Sequence, residues 1–506
     1  MYRKAAYIFS AAAGSLAVAY GFKNQYLKDN HESGVRGWVT AQDIQKETEN
    51  KENGIFPQNQ VINTLVYEKE NLSISDAITK SRDLAYRLKD EVGTPGLVIG
   101  VSINGKTVWT EGIGMADVEN RVPCHPETVM RIASISKSMT MAVVAKLWQD
   151  GKLDLDKAVQ HYVPSFPKKF FNGEEVTITT RQLVSHLAGI RHYKKLQDTV
   201  NKDKDNVKTQ TKDKKSKDQA NAASTTGPPI QRDTNFKEFY IKDRCNSIQD
   251  ALKLFQDDDL FFKPGESFLY TTHGWTLISA VVEAAAKEPF TKVMKDFFQV
   301  MGLKHTYLDE PEPLIYNRAR YYNKNAKGRL NNVPYVDNSC KWAGGGFLST
   351  VGDLLHFGNA MLYSYQWRND LDTKLYPPGY LRFETLREMW TVQPKTTMKW
   401  GRSDGYGMGW VVVPAVQEHG GGDTQRFAVG HTGGAVGASS VLLMVPVTPS
   451  ESSSKTLTEG PLSDSAAEIC IPSGVTVAVI VNMQDVGLQH LALDVAAIFC
   501  EALKPS

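Results

Sequence analysis

The sequence predicts an α/β fold, because apolar β-like runs occur near both ends of the globular part of the chain and mostly helical and loop sequence lies between them. Two such runs flank an Asn-Gly pair within 97–110, and two more lie toward the C-terminus at 439–447 and 475–481. We expect one sheet assembled from both ends of the chain, a long helical insertion, and a functional site where the two parts meet.

Composition sets the broad class of the protein. The chain has 506 residues and is 41% hydrophobic, which is enough for a large buried core. Its 58 basic and 56 acidic residues give a formal net charge of +2, so no overall field draws the protein to nucleic acid. We therefore expect a globular protein without a nucleic-acid partner.

The cysteines are odd in number and scattered, at Cys124, Cys245, Cys340, Cys470 and Cys500. No C-x-x-C pair and no Cys/His grouping at metal-ligand spacing is present. We expect five reduced, mostly buried thiols, no disulfide framework and no metal site. This expectation favours a reducing or mixed compartment.

Residues 1–30 have the composition of a targeting segment or a membrane anchor. Basic residues flank an uncharged stretch at 5–22, and the glycines within it weaken the anchor interpretation. A mitochondrial presequence and a secretory signal with a small-residue cleavage site at 17–19 both fit the composition. The polar, irregular residues 31–72 are interpreted as a linker.

The main domain is expected at 73–503 and opens with a helix. Apolar residues recur at helical spacing from Ile74 to Val92, with Ser75 or Asp76 at the position of an N-cap. The helix is expected to end near Gly93.

A hairpin follows this helix, because Asn104-Gly105 separates two runs rich in β-forming residues. The same stretch, Gly100 to Thr107, also matches the phosphate-binding pattern G-x-x-x-x-G-K-[ST]. That pattern requires a helix directly after its lysine, and the sequence after Lys106 is β-like. We therefore favour the hairpin over a nucleotide site.

Two polar insertions interrupt the main domain. Residues 194–232 contain a run with nine lysines and five aspartates between Lys194 and Asp218, and this segment lacks the apolar residues needed to offset chain entropy. A second insertion, at 448–467, separates two apolar runs. We expect a disordered surface segment at 194–232, and a helix from Gln489 to Leu503 at the end of the domain.

The first chemical motif is Ser134-Ile135-Ser136-Lys137, which opens a helical run ended by Gly151. Residues three apart share one face of a helix, so the Lys137 amine can reach the Ser134 hydroxyl. A serine needs a proton acceptor to act as a nucleophile, and a desolvated lysine can serve as one. Alone, this short pattern is weak, since an N-cap serine followed by a solvated lysine has the same spacing.

Two further segments strengthen the motif, since they follow in the order typical of S-x-x-K enzymes. They are 262–272 and the later His431-Thr432-Gly433-Gly434 run, and they are accompanied by the segments 179–190, 343–350 and 406–410. Together with Ser134 and Lys137, they resemble the class C β-lactamase, D,D-carboxypeptidase and esterase family of serine hydrolases. The resemblance implies a central antiparallel sheet flanked by the N- and C-terminal helices, with an inserted, mostly helical subdomain.

The resemblance also implies roles for individual residues. Ser134 would be the acylated nucleophile, and Lys137 and Tyr270 would share the role of base. Thr272 and a strand carrying His431, Thr432 and Gly433, expected at a sheet edge, would line the substrate. The N–H groups of Ser134 and Gly434 would form the oxyanion hole. No metal and no organic cofactor is expected.

Two departures from the family pattern bear on the substrate. Thr272 stands where Tyr-x-Asn has an amide, so a contact to a substrate amide is missing or altered. His431 replaces a cationic lysine, so attraction to a substrate carboxylate would depend on pH. Both departures argue against efficient penicillin hydrolysis and leave peptides and esters as expected substrates.

A second serine motif, three histidines and an alternative function were also considered. Ser403 fits a G-x-S-x-G pattern, but the preceding residues do not predict the buried strand that this nucleophile turn requires. His186, His192 and His273 are interpreted as structural. Resemblance to a mitochondrial branch of the family implies a filament-forming or otherwise self-associating protein with weak chemistry as the alternative function, and possible association with a mitochondrial membrane.

Overall fold

The computed structural model describes residues 72–193, 237–368, 371, 373–416, 425–447 and 471–503. The expected targeting segment, the linker apart from Leu72, and both insertions lie outside the described residues. None of the helices in the described part combines the length and the apolar character needed to cross a membrane.

The central element is an antiparallel sheet of eight strands in the order β11-β12-β13-β14-β15-β1-β2-β3. Its strands are β1 Gly96–Ile103, β2 Lys106–Asp117, β3 Val122–Pro123, β11 Gly405–Tyr406, β12 Val411–Val413, β13 Ala428–Ala435, β14 Ala438–Pro446 and β15 Gly474–Val481. In β1 and β15 every residue is buried, because the sheet is covered on both faces. Leu97 of β1 lies opposite Val481 of β15, so strands from the two ends of the domain are direct neighbours. The α/β class and the antiparallel sheet are confirmed.

The smaller strands form three further sheets. These are β4 Met130–Arg131 with β7 Tyr307–Leu308 and β10 Phe347–Ser349, the hairpin β5 Lys169–Phe171 with β6 Glu174–Val176, and the hairpin β8 Tyr322–Lys324 with β9 Leu330–Asn332.

The helices lie on the two faces of the large sheet. They are α1 Ile74–Val92, α2 Ile135–Gln149, α3 Thr180–Val184, α4 Ile248–Leu252, α5 His273–Ala286, α6 Phe290–Val300, α7 Trp342–Gly345, α8 Val351–Gln366, α9 Phe383–Met389 and α10 Gln489–Ala502, with short 3-10 turns at Val159–His161, Lys237–Tyr240 and Ser339–Lys341. Alternate residues of β1 face different cores, as strand geometry requires. Leu97 and Ile99 pack in the core that contains α1 and α10, whereas Val98 packs in the core that contains α2 and α5.

The first helix differs from its prediction at one end. Its N-cap is Ser73, whose side chain accepts a hydrogen bond from the Asp76 N–H, so Asp76 lies in the first turn rather than at the cap. Its C-cap is Gly93 in the left-handed conformation, as expected. The cap prediction was wrong because three polar candidates lie within the four residues 73–76, and only the position at which the helix begins distinguishes them.

The hairpin between β1 and β2 is confirmed. Asn104 and Gly105 have φ values of 49° and 77°, the left-handed pair that a tight two-residue turn requires. Lys106 begins β2 rather than a helix, so the phosphate-binding pattern at 100–107 lacks the helix N-terminus that its function needs.

The expectation of five reduced thiols was wrong. Cys245 and Cys340 form a disulfide, whereas Cys124 is a buried free thiol and Cys500 is buried. Cys470 lies outside the described residues. The two bonded residues are 95 positions apart, and sequence spacing carries no sign that the loop before α4 meets the 3-10 turn before α7. The bond removes the argument for a reducing compartment.

Candidate active site

The site forms where α2, the loop before α5 and β13 meet around a cavity of about 320 Å³. Its lining includes Ser134, His192, Tyr193, Phe239, Tyr270, Thr272, Asn338, Lys341, Gly344, Gly345, Met398, His431, Thr432, Gly434, Ala435 and Val436. The site residues predicted from the sequence, from Ser134 to Gly434, thus line one cavity, with two exceptions. Lys137 contacts the Ser134 hydroxyl, and Gly433 is buried against the Ile132 carbonyl oxygen.

Ser134 is the N-cap residue of α2 and is only partly buried. The preceding Ala133 has a φ of 49°, a strained backbone conformation for a residue with a Cβ atom. This turn directs the start of the helix toward the cavity, and the first N–H groups of a helix have no partner within the helix. The arrangement suits a hydroxyl that must meet substrate close to backbone donors.

The remainder of α2 is buried between the sheet and the helical subdomain. Its small polar residues have partners there: the Ser138 hydroxyl donates to the Gly409 carbonyl oxygen at 2.8 Å, and the Phe347 N–H donates to the Ser136 hydroxyl at 3.2 Å. Because buried polar groups without partners are costly, these contacts fix the rotation of the helix. They thereby fix the face on which Ser134 and Lys137 lie.

Lys137 is fully buried, and its Nζ atom lies 3.0 Å from the Ser134 hydroxyl oxygen. The same nitrogen donates to the carbonyl oxygen of Gly344. Burial lowers the pKa of Lys137 well below its usual value, and the nearby charge of Lys341 lowers it further. In its neutral form, which burial favours, the amine has one lone pair that can accept the Ser134 proton.

Tyr270 lies beside this pair, with its ring centroid 4.9 Å from the Lys137 Nζ. Burial raises the pKa of Tyr270, and a hydrogen bond with the Ser134 side chain partly opposes that rise. The phenol is therefore protonated at neutral pH. The next residue holds the loop in place: the Thr271 N–H donates to Nδ1 of His186, and the Thr271 hydroxyl donates to the Arg191 carbonyl oxygen.

Strand β13, which carries the His-Thr-Gly motif, is an edge strand over only part of its length. Residues 428–430 of β13 pair with β12, whereas 431–435 pair with β14 alone among the described strands. The prediction of an edge strand is therefore wrong for the start of β13 and right for the motif itself. A Cβ atom at Gly433 would overlap the Ile132 carbonyl oxygen and the Ser440 hydroxyl, so glycine is required for this close approach to the Ser134 turn.

His431 is buried and neutral. Its Nδ1 lies 2.6 Å from the Thr432 carbonyl oxygen, which can only accept, so Nδ1 carries the hydrogen. Its Nε2 then accepts a hydrogen bond from the Tyr406 hydroxyl at 2.9 Å. Burial and the nearby Lys137 lower the pKa of His431 to about 3. The expected pH-dependent attraction to a substrate carboxylate therefore does not arise from His431 near neutral pH.

Thr272 is also engaged within the protein. Its side chain forms a hydrogen bond with Tyr193, and its methyl group packs on Gly344, where a Cβ atom would overlap it. Its backbone N–H donates to Nδ1 of His192 at 3.3 Å. Thr272 thus lines the cavity, and its hydroxyl oxygen already has a hydrogen-bond partner within the protein.

Sequence reasoning assigned no role to Lys341, which is the only Lys or Arg among the described residues that line the cavity. Its Nζ donates to the Phe239 carbonyl oxygen at 3.2 Å and lies 5.6 Å from the Tyr193 ring centroid. Burial and the charge of Arg131 lower the pKa of Lys341 to about 8. The sequence feature that could have drawn attention to Lys341 is its position two residues before the Ala-Gly-Gly-Gly segment at 343–346.

Ser403 is not part of this site. It lies in an exposed turn before β11, with a φ of 55°, and is absent from the cavity lining. The local G-x-S-x-G pattern is therefore a surface turn.

A sheet built from both ends of the chain, with a serine and a lysine three residues apart at the start of a buried helix, defines the fold class of the serine β-lactamases and penicillin-binding proteins. Solved structures of this class are similar to the chain. They include the octameric penicillin-binding protein homologue from Pyrococcus abyssi, with a TM-score of 0.59, 20% identity and coverage of 84% of this chain and 77% of that one. A class C beta-lactamase gives a TM-score of 0.56 at 16% identity and covers 85% and 98%.

The beta-lactamase family model matches residues 82–496. The serine beta-lactamase-like protein LACTB, mitochondrial, of Mus musculus is 48% identical over 457 residues, which cover 84% of this chain and 80% of that protein. The Homo sapiens protein of the same name is 49% identical over 449 residues, with the same coverage. The chain belongs to the beta-lactamase family.

Proposed function

We propose that the protein is a serine hydrolase that cleaves peptide amides or esters through an acyl intermediate on Ser134. The observation that carries the proposal is the 3.0 Å contact between the Ser134 hydroxyl and a fully buried Lys137 amine. A solvated lysine would be protonated and could not accept a proton, whereas desolvation favours the neutral base.

In the first step, the Ser134 oxygen attacks the substrate carbonyl carbon and its proton passes to the Lys137 nitrogen. Tyr270 is protonated before the reaction and lies against both groups, so it can donate its proton to the leaving nitrogen or oxygen and regain one from Lys137. The carbonyl oxygen becomes an oxyanion, which the N–H groups of Ser134 and Gly434 would stabilise. Breakage of the carbonyl bond to the leaving group gives acyl-Ser134.

In the second step, water attacks the acyl carbon and gives its proton to Lys137 or Tyr270. The bond to the Ser134 oxygen breaks, and that oxygen takes a proton back. A free carboxylic acid leaves, and the enzyme returns to its starting protonation state. No step consumes a metal or an organic cofactor.

The cavity lining supports amides or esters over penicillins. His431 is neutral and hydrogen-bonded on both ring nitrogens, so it supplies no fixed cation at the position of the family's lysine. The Thr272 hydroxyl is already hydrogen-bonded to Tyr193. Both features remove contacts that a bicyclic carboxylate substrate would use.

The test is turnover of a panel of peptide p-nitroanilides, simple esters and a chromogenic cephalosporin by the wild-type protein and by Ser134→Ala. We expect hydrolysis of amides or esters that is lost in Ser134→Ala, with little cephalosporin turnover. Equal rates in the two proteins would contradict the proposal. Ser403→Ala is the matched control and should retain full activity.

For location, we propose the mitochondrion, in the intermembrane space or at the inner membrane, with the secretory pathway as the alternative. The proposal is supported by the mitochondrial proteins to which the chain is similar and by the basic, acid-free residues 1–30. A fluorescent reporter fused to residues 1–30 should enter mitochondria. Delivery to the secretory route would contradict the proposal.

Self-association into an oligomer or filament is the second proposed role. Large apolar side chains are unusually exposed at Val300, Leu314 and Tyr316, with 73%, 91% and 85% of their surface accessible. Sedimentation velocity of the wild type and of Leu314→Asp tests it. A wild-type monomer at micromolar concentration would contradict this role.

A further inference from the structure

His192 lines the cavity together with Thr272, the threonine that departs from the family pattern. The backbone N–H of Thr272 donates to Nδ1 of His192, so Nδ1 carries no hydrogen. In a neutral imidazole the hydrogen must then be on Nε2. Burial lowers the pKa of His192 to about 3, which agrees with a neutral ring at physiological pH.

The ring of His192 is held in one orientation. It stacks on Tyr193, with centroids 4.2 Å apart, and meets the Tyr270 ring edge to face at 6.3 Å. Nδ1 is directed to Thr272, and Nε2 is the ring nitrogen farther from the histidine backbone. Among the described residues no acceptor for Nε2 is found, although the side chain lines the cavity that contains Ser134.

Thr272 cannot supply this donor itself. Its hydroxyl is hydrogen-bonded to Tyr193, and its methyl group packs on Gly344. Family members with Tyr-x-Asn have an amide at this position. His192 also lines the cavity, and its ring is anchored to the backbone N–H of the same residue.

We infer that His192 is a specificity-determining residue whose Nε2–H donates a hydrogen bond to an amide carbonyl oxygen in the acyl part of the substrate. The inference rests on the proposed hydrolase function and narrows its substrate class to N-acylated amino acid or peptide derivatives. Substrates without such a carbonyl leave the buried donor unpaired and react less well.

Two substitutions separate substrate binding from a purely structural role. His192→Asn can keep an acceptor for the Thr272 N–H near the position of Nδ1 but has no group at Nε2. His192→Gln can place an amide N–H near Nε2 but loses the acceptor at Nδ1. His192→Asn therefore tests loss of the substrate contact alone, and His192→Gln tests loss of the Thr272 contact alone.

The experiment compares kcat/KM for two p-nitrophenyl esters, one of N-acetylphenylalanine and one of 3-phenylpropionic acid, which lacks the acetamido group. We expect the wild type to prefer the acetylated ester. His192→Asn should reduce that preference by about 10-fold, and His192→Gln should retain most of it, since one neutral hydrogen bond contributes up to about this factor. The exposed His161→Asn serves as the control and should leave both rates unchanged.

An equal loss for both esters in His192→Asn, or an unchanged preference, would overturn the inference, because the residue would then act only through Thr272 or not at all. Fluorophosphonate labelling of Ser134 in the wild type distinguishes this from failure of the proposed function. If the wild type is neither labelled nor active on either ester, the proposed function fails and the inference falls with it.

Discussion

The Lys137 amine contacts the Ser134 hydroxyl at 3.0 Å from a fully buried position behind the cavity. The geometry follows from their spacing on one helix face, and the chemistry follows from burial, which favours the uncharged amine.

Replacement of Lys137 tests its role as a base. Lys137→Met and Lys137→Arg should each lower the rate of Ser134 acylation by about 10²- to 10⁴-fold. Arginine is included because it retains the positive charge and hydrogen-bond donors but cannot become neutral. Stopped-flow acylation by an activated ester measures the effect. An active Lys137→Arg variant would show that charge, rather than proton acceptance, is the contribution of this residue.

Removal of the Tyr270 hydroxyl should slow proton donation to the leaving group and leave the packing around the ring unchanged. Tyr270→Phe preserves the ring beside Lys137, so we expect unchanged thermal stability and a fall of about 10²-fold or more in amide turnover. Esters with good leaving groups need less protonation and should lose less activity. Identical losses for an anilide and a p-nitrophenyl ester would argue against Tyr270 as the donor to the leaving group.

Lys341 should make the binding of anionic ligands pH-dependent. Since its pKa is lowered to about 8, the amine is charged below that pH and loses its charge above it. In Ser134→Ala, the affinity for N-acetylphenylalanine should decline by up to about tenfold per pH unit above pH 8, while its amide should bind independently of pH. Isothermal titration calorimetry measures both. Combining Ser134→Ala with Lys341→Met should abolish the difference, and its persistence would assign the effect to another group.

His431 should destabilise the fold in mild acid. Its folded-state pKa of about 3 lies below the unfolded value near 6.5, so the unfolded chain binds a proton first as the pH falls. The stability from the neutral ring is therefore fully present above pH 6.5 and is lost toward pH 3, at about 1.4 kcal/mol per pH unit. Urea unfolding at pH 7.5, 6.5 and 5.5 should show a shallower pH slope for His431→Gln than for the wild type. The exposed His161→Gln should keep the wild-type slope, and equal slopes in all three proteins would contradict the prediction.

The disulfide should contribute to global stability. Cys245 and Cys340 close a loop with a sequence separation of 95, and removal of such a bond costs about 2–5 kcal/mol. We expect the double variant Cys245→Ala/Cys340→Ala to unfold at lower urea concentration, and a reducing agent to shift the wild type to the same midpoint. The reducing agent should have no effect on the double variant. A wild-type midpoint insensitive to reduction would contradict the prediction.

Local sequence patterns predicted the features that depend on neighbouring residues. The Asn104-Gly105 hairpin and the pairing of Ser134 with Lys137 follow from two-residue turn chemistry and from helix periodicity. The meeting of Ser134, Tyr270 and His431 came from resemblance to a family, because residues so far apart share no local pattern.

Properties that depend on packing could not be predicted. The neutrality of His431 arises from burial and the nearby Lys137, and its hydrogen bond with Tyr406 joins residues 25 positions apart in sequence. The Cys245–Cys340 bond and the cavity position of Lys341 likewise depend on chain segments that meet only in the fold. The same holds for Thr272, since its short side chain is visible in the sequence but its hydrogen bond to Tyr193 is not.

Covalent labelling with a fluorophosphonate, followed by peptide mapping by mass spectrometry, tests the central claim most directly. The account predicts one adduct, on Ser134, that is absent from folded Ser134→Ala and forms about 10²- to 10⁴-fold more slowly in Lys137→Met. An adduct on Ser403, or no adduct on a wild-type protein shown to be folded, would contradict the assignment of Ser134 as an activated nucleophile.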